Sequence, residues 1–280
     1  MADGKVAILG GKGMLGTDLA HQCLEQSFAF EVFDLPDFDI TNDKQISQVI
    51  KNSRVIVNCA AYTNVDKAQS EAELAYKVNA KAVGRLGALS KKADIWVLHI
   101  STDFVFDGKS NRPYVETDTP NPINTYGASK LAGEQLLVES RCRHCIIRIE
   151  WTYGKAGRNF VTKLIQQAKT NKTLNVVDDQ IGSPTATTEV AKVICKLLPS
   201  RPEGLFHFAS QGYVSRFDMA KSIFDNLKWN VDLNRCKTSD FPTPAKRPLN
   251  SSFDCSKIMA LLDEPVRPWQ EPLEIFLRQL

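Results

Sequence analysis

The sequence predicts an α/β protein with a doubly wound parallel sheet and a smaller, irregular C-terminal lobe. In its first half, five short apolar runs alternate with longer amphipathic stretches. The runs are apolar throughout, which is typical of strands that helices cover on both faces. A glycine-rich segment directly follows the first run. Repeated strand–helix–strand units of this kind form parallel sheets.

The predicted strands are the five apolar runs at residues 5–9, 30–33, 55–59, 95–100 and 145–149. Helical periodicity predicts helices over 14–27, over 68–92 and from about Tyr126. After residue 150, proline and glycine become more frequent and the pattern is less regular. Helical stretches remain there at 159–170, 187–198, 216–228 and 270–279. We place a boundary near residue 150, with some later elements returning to the first part.

Composition excludes several classes of protein. The 280 residues carry 35 basic and 32 acidic side chains, and the basic ones are scattered. This balance argues against a nucleic-acid partner and against a polybasic membrane surface. No apolar stretch approaches the ~20 residues that span a bilayer, and the start of the chain has no secretory pattern. We therefore expect a cytoplasmic protein without a membrane partner.

The seven cysteines fit the same compartment. Most lie in apolar runs, where a reduced cysteine behaves as a small buried hydrophobic residue. A disulfide framework is not expected. Cys142, His144 and Cys145 resemble half of a zinc site, but no second pair of ligands follows at the required spacing. We predict no metal.

Gly10, Gly13 and Gly16 lie between the first predicted strand and the first predicted helix. A turn of this kind lets backbone N–H groups approach a pyrophosphate, and the helix N-terminus then faces the negative charge. Asp34 ends the second strand, where a carboxylate accepts hydrogen bonds from an adenosine ribose. The segment therefore predicts a dinucleotide site rather than an ordinary turn.

The two charged residues near this motif give opposite indications about the cofactor. The Asp34 carboxylate repels a 2′-phosphate and favours NADH, whereas the Lys12 ammonium favours NADPH. The sequence leaves this choice open. Residues 1–150 are predicted to form a Rossmann-type dinucleotide-binding domain, and residues 151–280 a substrate-binding lobe.

Tyr126 and Lys130 are four residues apart in a predicted helix and so share one face. The lysine charge is expected to lower the phenol pKa, which is ~10 when unperturbed. Such a tyrosine can donate a proton to a carbonyl oxygen, or remove one from an alcohol. The structural alternative is a surface tyrosine beside a solvated lysine.

Ser101, Thr102 and Asp103 end the fourth predicted strand. Ligands of open parallel sheets bind beyond the carboxyl ends of the strands. Thr102 is therefore predicted to give a carbonyl oxygen a second hydrogen bond. A capped turn would explain this triplet in isolation. The glycine loop, the strand-end hydroxyl and the tyrosine–lysine pair in this order favour carbonyl–alcohol chemistry.

With these motifs the chain resembles the extended short-chain dehydrogenase/reductase superfamily and, within it, the dTDP-4-dehydrorhamnose reductase family. The resemblance covers nearly the whole chain. Its most specific stretches are 101–108, which read STDFVFDG, and 126–134, which read YGASKLAGE. The other matching stretches are 10–16, 58–66, 179–185 and 247–251.

The resemblance implies NAD(P)H-dependent reduction of the 4-keto group of a nucleotide-linked deoxysugar, dTDP-4-dehydro-L-rhamnose, to dTDP-L-rhamnose. Tyr126 would donate the proton, Lys130 would lower the tyrosine pKa and hold the nicotinamide ribose, and Thr102 would share the carbonyl oxygen. The implied cofactor is NADPH or NADH. Further cofactor contacts are implied for Gly13, Met14, Leu15, Asp39, Ile40, Ala60, Ala61 and Tyr62.

On the substrate side, the resemblance implies roles for Asp103 and Trp151. An indole face packs well on the C–H groups of a sugar ring. Glu150 departs from the family pattern, which has serine there, and puts a carboxylate near the expected sugar site. Some family members join subunits through a metal held by carboxylates. Here Asp18 remains but Thr188 stands where an acid is expected, so we predict no such metal; a homodimer stays open.

Two other functions stay open. The chain is also similar, over 247–257, to the regulatory β subunit of methionine adenosyltransferase, a non-catalytic protein that binds an enzyme. The intact Thr102, Tyr126 and Lys130 set argues against that function. The other alternative is a nucleotide-sugar epimerase or dehydratase with tightly held NAD+.

Overall fold

The structure is a computed structural model that describes residues 5–280. The strands in these residues are β1 (Val6–Leu9), β2 (Phe30–Phe33), β3 (Val55–Asn58), β4 (Trp96–Thr102), β5 (His144–Ile149), β6 (Thr152–Tyr153), β7 (Thr173–Val177), β8 (Ile181–Gly182), β9 (Thr185–Ala186), β10 (Gly204–Phe208), β11 (Val214–Ser215) and β12 (Asp232–Cys236). The α-helices are α1 (Met14–Glu25), α2 (Asp43–Lys51), α3 (Ala72–Tyr76), α4 (Ala82–Lys92), α5 (Thr125–Glu139), α6 (Phe160–Ala168), α7 (Thr187–Leu197), α8 (Arg216–Leu227), α9 (Ser256–Met259) and α10 (Gln270–Leu277).

The central sheet has six strands in the order β10–β5–β4–β3–β1–β2, and every pair in it is parallel. The predicted fold class is therefore confirmed, and each of the five predicted strands is present. The sixth strand, β10, lies in the C-terminal half of the chain and pairs with β5. The functional division at residue 150 stays a prediction.

Helices cover both faces of the sheet, as the uniformly apolar strands require. On one face α1 and α7 pack on alternate strand residues; Leu19 and Ile194, for example, lie in one buried cluster with Ile8. On the other face α2, α4 and α5 pack on the remaining residues, among them Leu9. Each fully buried side chain of this size contributes roughly 1.5–3 kcal/mol.

The predicted helix over 68–92 contains a wider turn. A π-helical turn at Lys77–Lys81 joins α3 to α4. The buried Asn79 side chain in this turn bonds to the backbone of Tyr62 and to the Ser129 hydroxyl at 3.0 Å. The wider turn thus connects this helix to α5, which carries the predicted tyrosine.

A buried ion pair fixes α5 to the sheet. The Arg148 guanidinium on β5 donates to both carboxylate oxygens of Glu134, at 2.9 and 2.6 Å. Both side chains are almost fully buried. Removing one partner of such a pair costs roughly 3–5 kcal/mol, since the other charge is then buried alone. The pair holds the helix in one position over the strand ends.

The lobe after β5 has its own core. Helices α6, α8 and α10 pack around Tyr153, Met219 and Leu273, and three small two-stranded sheets surround them. Helices are present at all four stretches predicted at 159–170, 187–198, 216–228 and 270–279, and the second of them, α7, packs on the central sheet. Within residues 5–280, no helix combines the length and the apolar character needed to cross a membrane.

Candidate active site

A cavity of about 630 Å³ lies at the carboxyl ends of the central strands, where ligands of open parallel sheets bind. The glycine-rich loop forms one end of it, and Trp151 and Arg216 line the other. All predicted site residues except Tyr62 line this cavity: Gly10, Gly13, Met14, Leu15, Gly16, Asp34, Asp39, Ile40, Ala60, Ala61, Thr102, Asp103, Tyr126, Lys130 and Trp151.

Tyr62 does not line the cavity, and its predicted cofactor contact stays a prediction. Its phenol donates a hydrogen bond to the Glu71 carboxylate at 2.6 Å, and this bond raises the pKa of Tyr62 to about 12. Its backbone N–H donates to Asn79. Ala60 and Ala61 line the cavity, whereas the Tyr62 phenol is bonded to Glu71.

In the glycine-rich loop the backbone passes close to the backbone of Ala60 and to the start of α1. Gly10 has a φ of +72°, and a Cβ there would lie 2.6 Å from the backbone nitrogen of Ala60. A Cβ on Gly16 would lie 2.3 Å from the Gly10 carbonyl oxygen. Helix α1 then starts at Met14, and no side chain caps its first turn. Its free N–H groups at the cavity wall fit the pyrophosphate of a dinucleotide.

Asp34 supports the loop from the side. Its carboxylate accepts the backbone N–H of Lys12 at 2.8 Å and that of Leu35 at 2.7 Å. The Lys12 ammonium donates a hydrogen bond to the Leu35 carbonyl at 3.3 Å. Asp34 therefore shapes the loop and also lines the cavity, and its predicted bond to a ribose stays a prediction.

The three predicted catalytic side chains come from two elements. Thr102 ends β4, and Tyr126 and Lys130 lie one turn apart on α5. The Phe104 ring packs edge-on against the Tyr126 ring, with centroids 5.6 Å apart. All three side chains line the same cavity, which is the arrangement that the sequence predicts.

The predicted effect of Lys130 on Tyr126 is wrong in this structure. Burial raises the pKa of Tyr126 to about 12, and the nearby Asp103 charge adds to the rise while the Thr102 hydroxyl opposes it. The Lys130 ammonium instead donates to the Ile100 carbonyl at 2.6 Å and lies 3.3 Å from a His99 ring nitrogen. Burial lowers the pKa of Lys130 to about 8. A fully buried ammonium needs an acceptor, and the strand-end carbonyl is the one it finds.

The first turn of α5 is tied to the lobe. The Asn124 side chain caps the helix by accepting the Gly127 N–H at 2.8 Å. The same amide group donates to the Lys246 carbonyl, also at 2.8 Å. One side chain thus joins the start of the tyrosine helix to the segment before Arg247.

Asp103 is a buried acid at the lobe end of the cavity. It accepts hydrogen bonds from the hydroxyls of Ser251 and of Thr102, at 2.5 and 3.1 Å. Burial nevertheless raises the pKa of Asp103 to about 6, against the lowering effect of these bonds and of the Arg216 charge. The segment 101–103 therefore supplies both a hydroxyl and a titratable carboxyl to one corner.

Glu150 does not project into the sugar site as expected. It is fully buried, and its carboxylate accepts the backbone N–H of Ser183 at 2.8 Å and that of Phe253 at 3.3 Å. Burial and the Asp103 charge raise the pKa of Glu150 well above its ordinary value. Glu150 thus joins two lobe segments behind the wall of the cavity.

Trp151 lines the cavity, but its predicted open indole face is covered. The Arg216 guanidinium lies 3.4 Å from the ring centroid. Gly182 lies close to the ring edge, since a Cβ there would be 2.6 Å from the Trp151 Cε2 atom. Most of the ring is buried in the lobe core. A ligand at this end would therefore meet the guanidinium, where the sequence predicts an indole face.

The chain is similar to a known protein family. The RmlD substrate binding domain model matches residues 4–280. The chain is 37% identical to the dTDP-4-dehydrorhamnose reductase of Aggregatibacter actinomycetemcomitans, over 96% of this chain and 97% of that protein. The chain belongs to the dTDP-4-dehydrorhamnose reductase family.

Solved structures of this reductase family superimpose closely. The dTDP-4-dehydrorhamnose reductase of Bacillus anthracis, solved in complex with NADP, is 36% identical, with a TM-score of 0.95 and 99% of each chain covered. The one from Clostridium acetobutylicum is also 36% identical, with a TM-score of 0.94 over 98% of this chain and 99% of that chain. These similarities confirm the family that the motifs predict.

Asp18, the carboxylate that the resemblance relates to a bridging metal in other family members, takes part in a hydrogen bond here. The Thr187 hydroxyl donates to the Asp18 carboxylate and contacts the Tyr153 carbonyl at 3.1 Å. Glu189, one residue after Thr188, pairs with Arg267 and Lys192. Across residues 5–280 no group of three or more His, Cys, Asp or Glu side chains is placed to hold a metal ion.

No site role was predicted from the sequence for several residues that line the cavity, including Phe104, Arg158, Asn159 and Arg216. Phe104 lies inside the matching stretch 101–108, which is the signal that could have identified it. Arg216 lies at the first position of a predicted helix, far in sequence from every motif. No local pattern in the sequence distinguishes it from a solvated arginine.

Proposed function

We propose that this protein reduces the 4-keto group of dTDP-4-dehydro-L-rhamnose to the alcohol of dTDP-L-rhamnose, with NADPH as the reductant. One observation carries the proposal. Thr102, Tyr126 and Lys130 line a single cavity that runs from the glycine loop to Trp151. The family relatives named above are reductases of this substrate, and one of them was solved with NADP.

The cavity has the features that a dinucleotide needs. Gly10 and Gly16 leave no room for side chains, and the N–H groups of the first turn of α1 are uncapped. These groups would hold the pyrophosphate, and Ala60 and Ile40 would line the adenosine side. Bound NADPH supplies a hydride to the keto carbon. The cavity positions the two reactants, and such positioning is worth several kcal/mol in barrier reduction.

The raised pKa of Tyr126 suits a proton donor. Because burial holds this pKa at about 12, the phenol carries its proton at neutral pH. It is then available to the alkoxide that forms when the keto carbon accepts hydride. The Thr102 hydroxyl, which acts to lower the Tyr126 pKa, would stabilise the negative charge that develops on the phenol oxygen, and Lys130 would hold the nicotinamide ribose. The products are the alcohol and NADP+, and the phenolate regains its proton from solvent.

Thr102 is the second group at the keto oxygen. In the structure its hydroxyl donates to Asp103 at 3.1 Å. Rotation about its side-chain bond redirects this donor toward a substrate oxygen without moving the strand. Thr102 and Tyr126 would together hold the keto oxygen, which fixes the carbonyl carbon against the cofactor side of the cavity.

The proposal is tested by mixing the purified protein with dTDP-4-dehydro-L-rhamnose and following NADPH oxidation, with identification of dTDP-L-rhamnose by mass spectrometry and NMR. We expect one NADPH consumed per product. Conversion of a nucleotide sugar without net NADPH consumption would support an epimerase or dehydratase. Absence of turnover across a panel of keto sugars, together with co-purification with a synthetase, would support a regulatory subunit.

We also propose a cytoplasmic enzyme, with a homodimer as the assembly to test. In support of a reducing compartment, all seven cysteines are free thiols. Sedimentation velocity over a range of protein concentrations, with and without EDTA, tests the assembly. A dimer that persists in EDTA would agree with the Asp18–Thr187 hydrogen bond in place of a bridging metal.

A further inference from the structure

Arg216 is the cation at the lobe end of the cavity. It starts α8, and its guanidinium lies between two aromatic rings, 3.4 Å from the Trp151 centroid and 4.7 Å from the Phe160 centroid. Stacking of this kind fixes the plane of a guanidinium and leaves its edges open. Arg216 also lines the cavity that contains Thr102. Its N–H groups are therefore held in a defined position beside the substrate space.

These N–H groups have no partner among residues 5–280, since neither a hydrogen bond nor an ion pair joins the guanidinium to another residue there. The two carboxyl groups whose charges act on it, Asp103 and Glu150, are bonded elsewhere. Asp103 accepts from Ser251 and Thr102, and Glu150 accepts two backbone N–H groups. A guanidinium has five donors, and here they remain for a ligand.

The charge around Arg216 favours a neutral ligand group over an anion. Burial lowers the pKa of Arg216 to about 9, which leaves it charged at neutral pH. The Asp103 carboxyl, with its pKa of about 6, is an anion under the same conditions and balances that charge. Burial favours the uncharged form of Glu150. The corner therefore has little net charge with which to attract a phosphate, but it has many directed donors.

We propose that Arg216 is a specificity-determining residue that donates hydrogen bonds to ring hydroxyl groups of the substrate sugar. The Trp151 ring is its platform, and the missing side chain of Gly182 leaves room for that ring. The inference rests on the proposed function, because it requires a sugar nucleotide in this cavity. The sugar class it selects is a 6-deoxyhexose that retains the C3 hydroxyl, the one hydroxyl next to the C4 keto carbon.

Product binding tests the inference without requiring turnover. The affinity of dTDP-L-rhamnose for the protein with NADP+ is measured by titration calorimetry, for wild type, Arg216→Met and Arg216→Lys. We expect about 10–100-fold weaker binding for Arg216→Met, as for loss of hydrogen bonds from a charged donor. Arg216→Lys should recover part of that loss. The affinity of dTDP alone should change less than about threefold in both variants.

The matched control is Arg235→Met. Arg235 also lies over an aromatic ring, at 4.0 Å from the Phe217 centroid, and does not line the cavity. It should bind dTDP-L-rhamnose like wild type. NADPH affinity and the unfolding midpoint report whether each variant is folded. If Arg216→Met does not fold, the Arg216→Lys and Arg216→Gln variants carry the test, with the same expected order of affinities.

A second measurement separates hydroxyl recognition from packing. A dTDP-sugar that lacks a ring hydroxyl next to the reacting carbon should bind wild type and Arg216→Met with similar affinity, because the lost bond is missing in both. Equal loss of dTDP and dTDP-L-rhamnose affinity in Arg216→Met would overturn the inference in favour of a diphosphate contact. Unchanged affinity for both ligands would also overturn it.

The outcome also separates this inference from the proposed function. If wild type binds dTDP-L-rhamnose and Arg216→Met does not, yet neither turns over any keto sugar, then the reductase proposal fails while the sugar contact stands. If turnover occurs, Arg216→Met should raise KM by about 10–100-fold with kcat within a few fold of wild type. Turnover by Arg216→Met with an unchanged KM would refute the proposed sugar contact and leave the proposed reductase function standing.

Discussion

The two ends of the cavity are built in different ways. The cofactor end consists mainly of backbone and small residues from one short segment, 10–16, and from the end of β3. At the substrate end, charged and aromatic side chains of three separate segments, Asp103, Trp151 and Arg216, line the cavity. The first end depends on close approach of backbones, and the second on the balance of buried charges.

The largest effect is expected where the two ends meet, at Tyr126. Tyr126→Phe removes the proton donor and should lower kcat by roughly 10²–10⁴-fold, the usual contribution of a general acid. NADPH affinity should stay within a few fold of wild type. Stopped-flow NADPH oxidation and fluorescence titration measure the two quantities.

Tyr62→Phe is the matched control for this change. The Tyr62 phenol is engaged with Glu71 outside the cavity, so its loss should leave kcat within a few fold of wild type. Full activity of Tyr126→Phe would refute the proposed mechanism. A large loss of kcat in Tyr62→Phe would indicate that Tyr62 takes part in the active site.

At the substrate end, Asp103 should make stability depend on pH. Its pKa is raised from 3.8 to about 6, so the folded state binds this proton more tightly than the unfolded state. The stability it contributes is present below about pH 4 and is lost as the pH rises through 6, by about 3 kcal/mol in total. Asp103→Asn should therefore gain that amount relative to wild type between pH 4 and 7, in urea unfolding.

Asp118→Asn should give the opposite sign. The Arg112 guanidinium lowers the pKa of Asp118, so its contribution is present at higher pH and is lost as the pH falls through the folded pKa. Parallel stability profiles for wild type and Asp103→Asn would show that the buried carboxyl does not titrate as proposed, and the contrast between the two ends would weaken.

At the cofactor end, Gly16→Ala should act through backbone crowding. The new Cβ would lie 2.3 Å from the Gly10 carbonyl oxygen and 2.5 Å from the Gly11 Cα, and neither atom can move freely. Overpacking of this kind costs roughly 1–3 kcal/mol. We expect lower stability and at least tenfold weaker NADPH binding, measured by urea unfolding and fluorescence titration.

Gly13→Ala is the control for this position. A Cβ on Gly13 would lie 3.2 Å from the Gly10 carbonyl oxygen, and the φ of −74° at Gly13 suits any residue. It should lose less stability and less affinity than Gly16→Ala. Equal losses in the two variants would mean that glycine flexibility, and not close approach, governs the loop.

The smallest effect concerns cofactor choice. The Lys12 ammonium lies exposed beside the loop, near Leu35 and Asp37. If it meets the 2′-phosphate, Lys12→Gln should weaken NADPH binding by about 2–5-fold and leave NADH binding unchanged, as for an exposed charge pair. Lys5→Gln, which removes an ion pair with Glu31 at the foot of the sheet, should change neither affinity. Equal losses of affinity for NADPH and NADH in Lys12→Gln would mean that other residues determine the cofactor preference.

The sequence predicted the cofactor end better than the substrate end, and the reason is physical. The glycine loop and the tyrosine–lysine pair are local patterns, so spacing alone places Gly16 and Lys130 on the cavity wall. The direction of a pKa shift is not local. Spacing puts the Lys130 charge beside the Tyr126 phenol, but burial and the Ile100 carbonyl, which come from the packing of α5 on β4, decide the outcome.

At the substrate end the missed features all depend on segments distant in sequence. The position of Glu150 depends on the N–H groups of Ser183 and Phe253, and the cover of Trp151 depends on Arg216. Family resemblance transfers residue identities position by position. It does not transfer the new neighbours that a changed residue acquires.

The double role of Asn124 has a consequence for any attempt to change what this protein accepts. Its side chain joins the Lys246 carbonyl to the start of the tyrosine helix, so a loop grafted at 238–249 would also alter the aim of the phenol. Substrate preference and turnover rate therefore both depend on the Asn124 amide. A graft that is meant to keep its turnover must restore both hydrogen bonds of this amide.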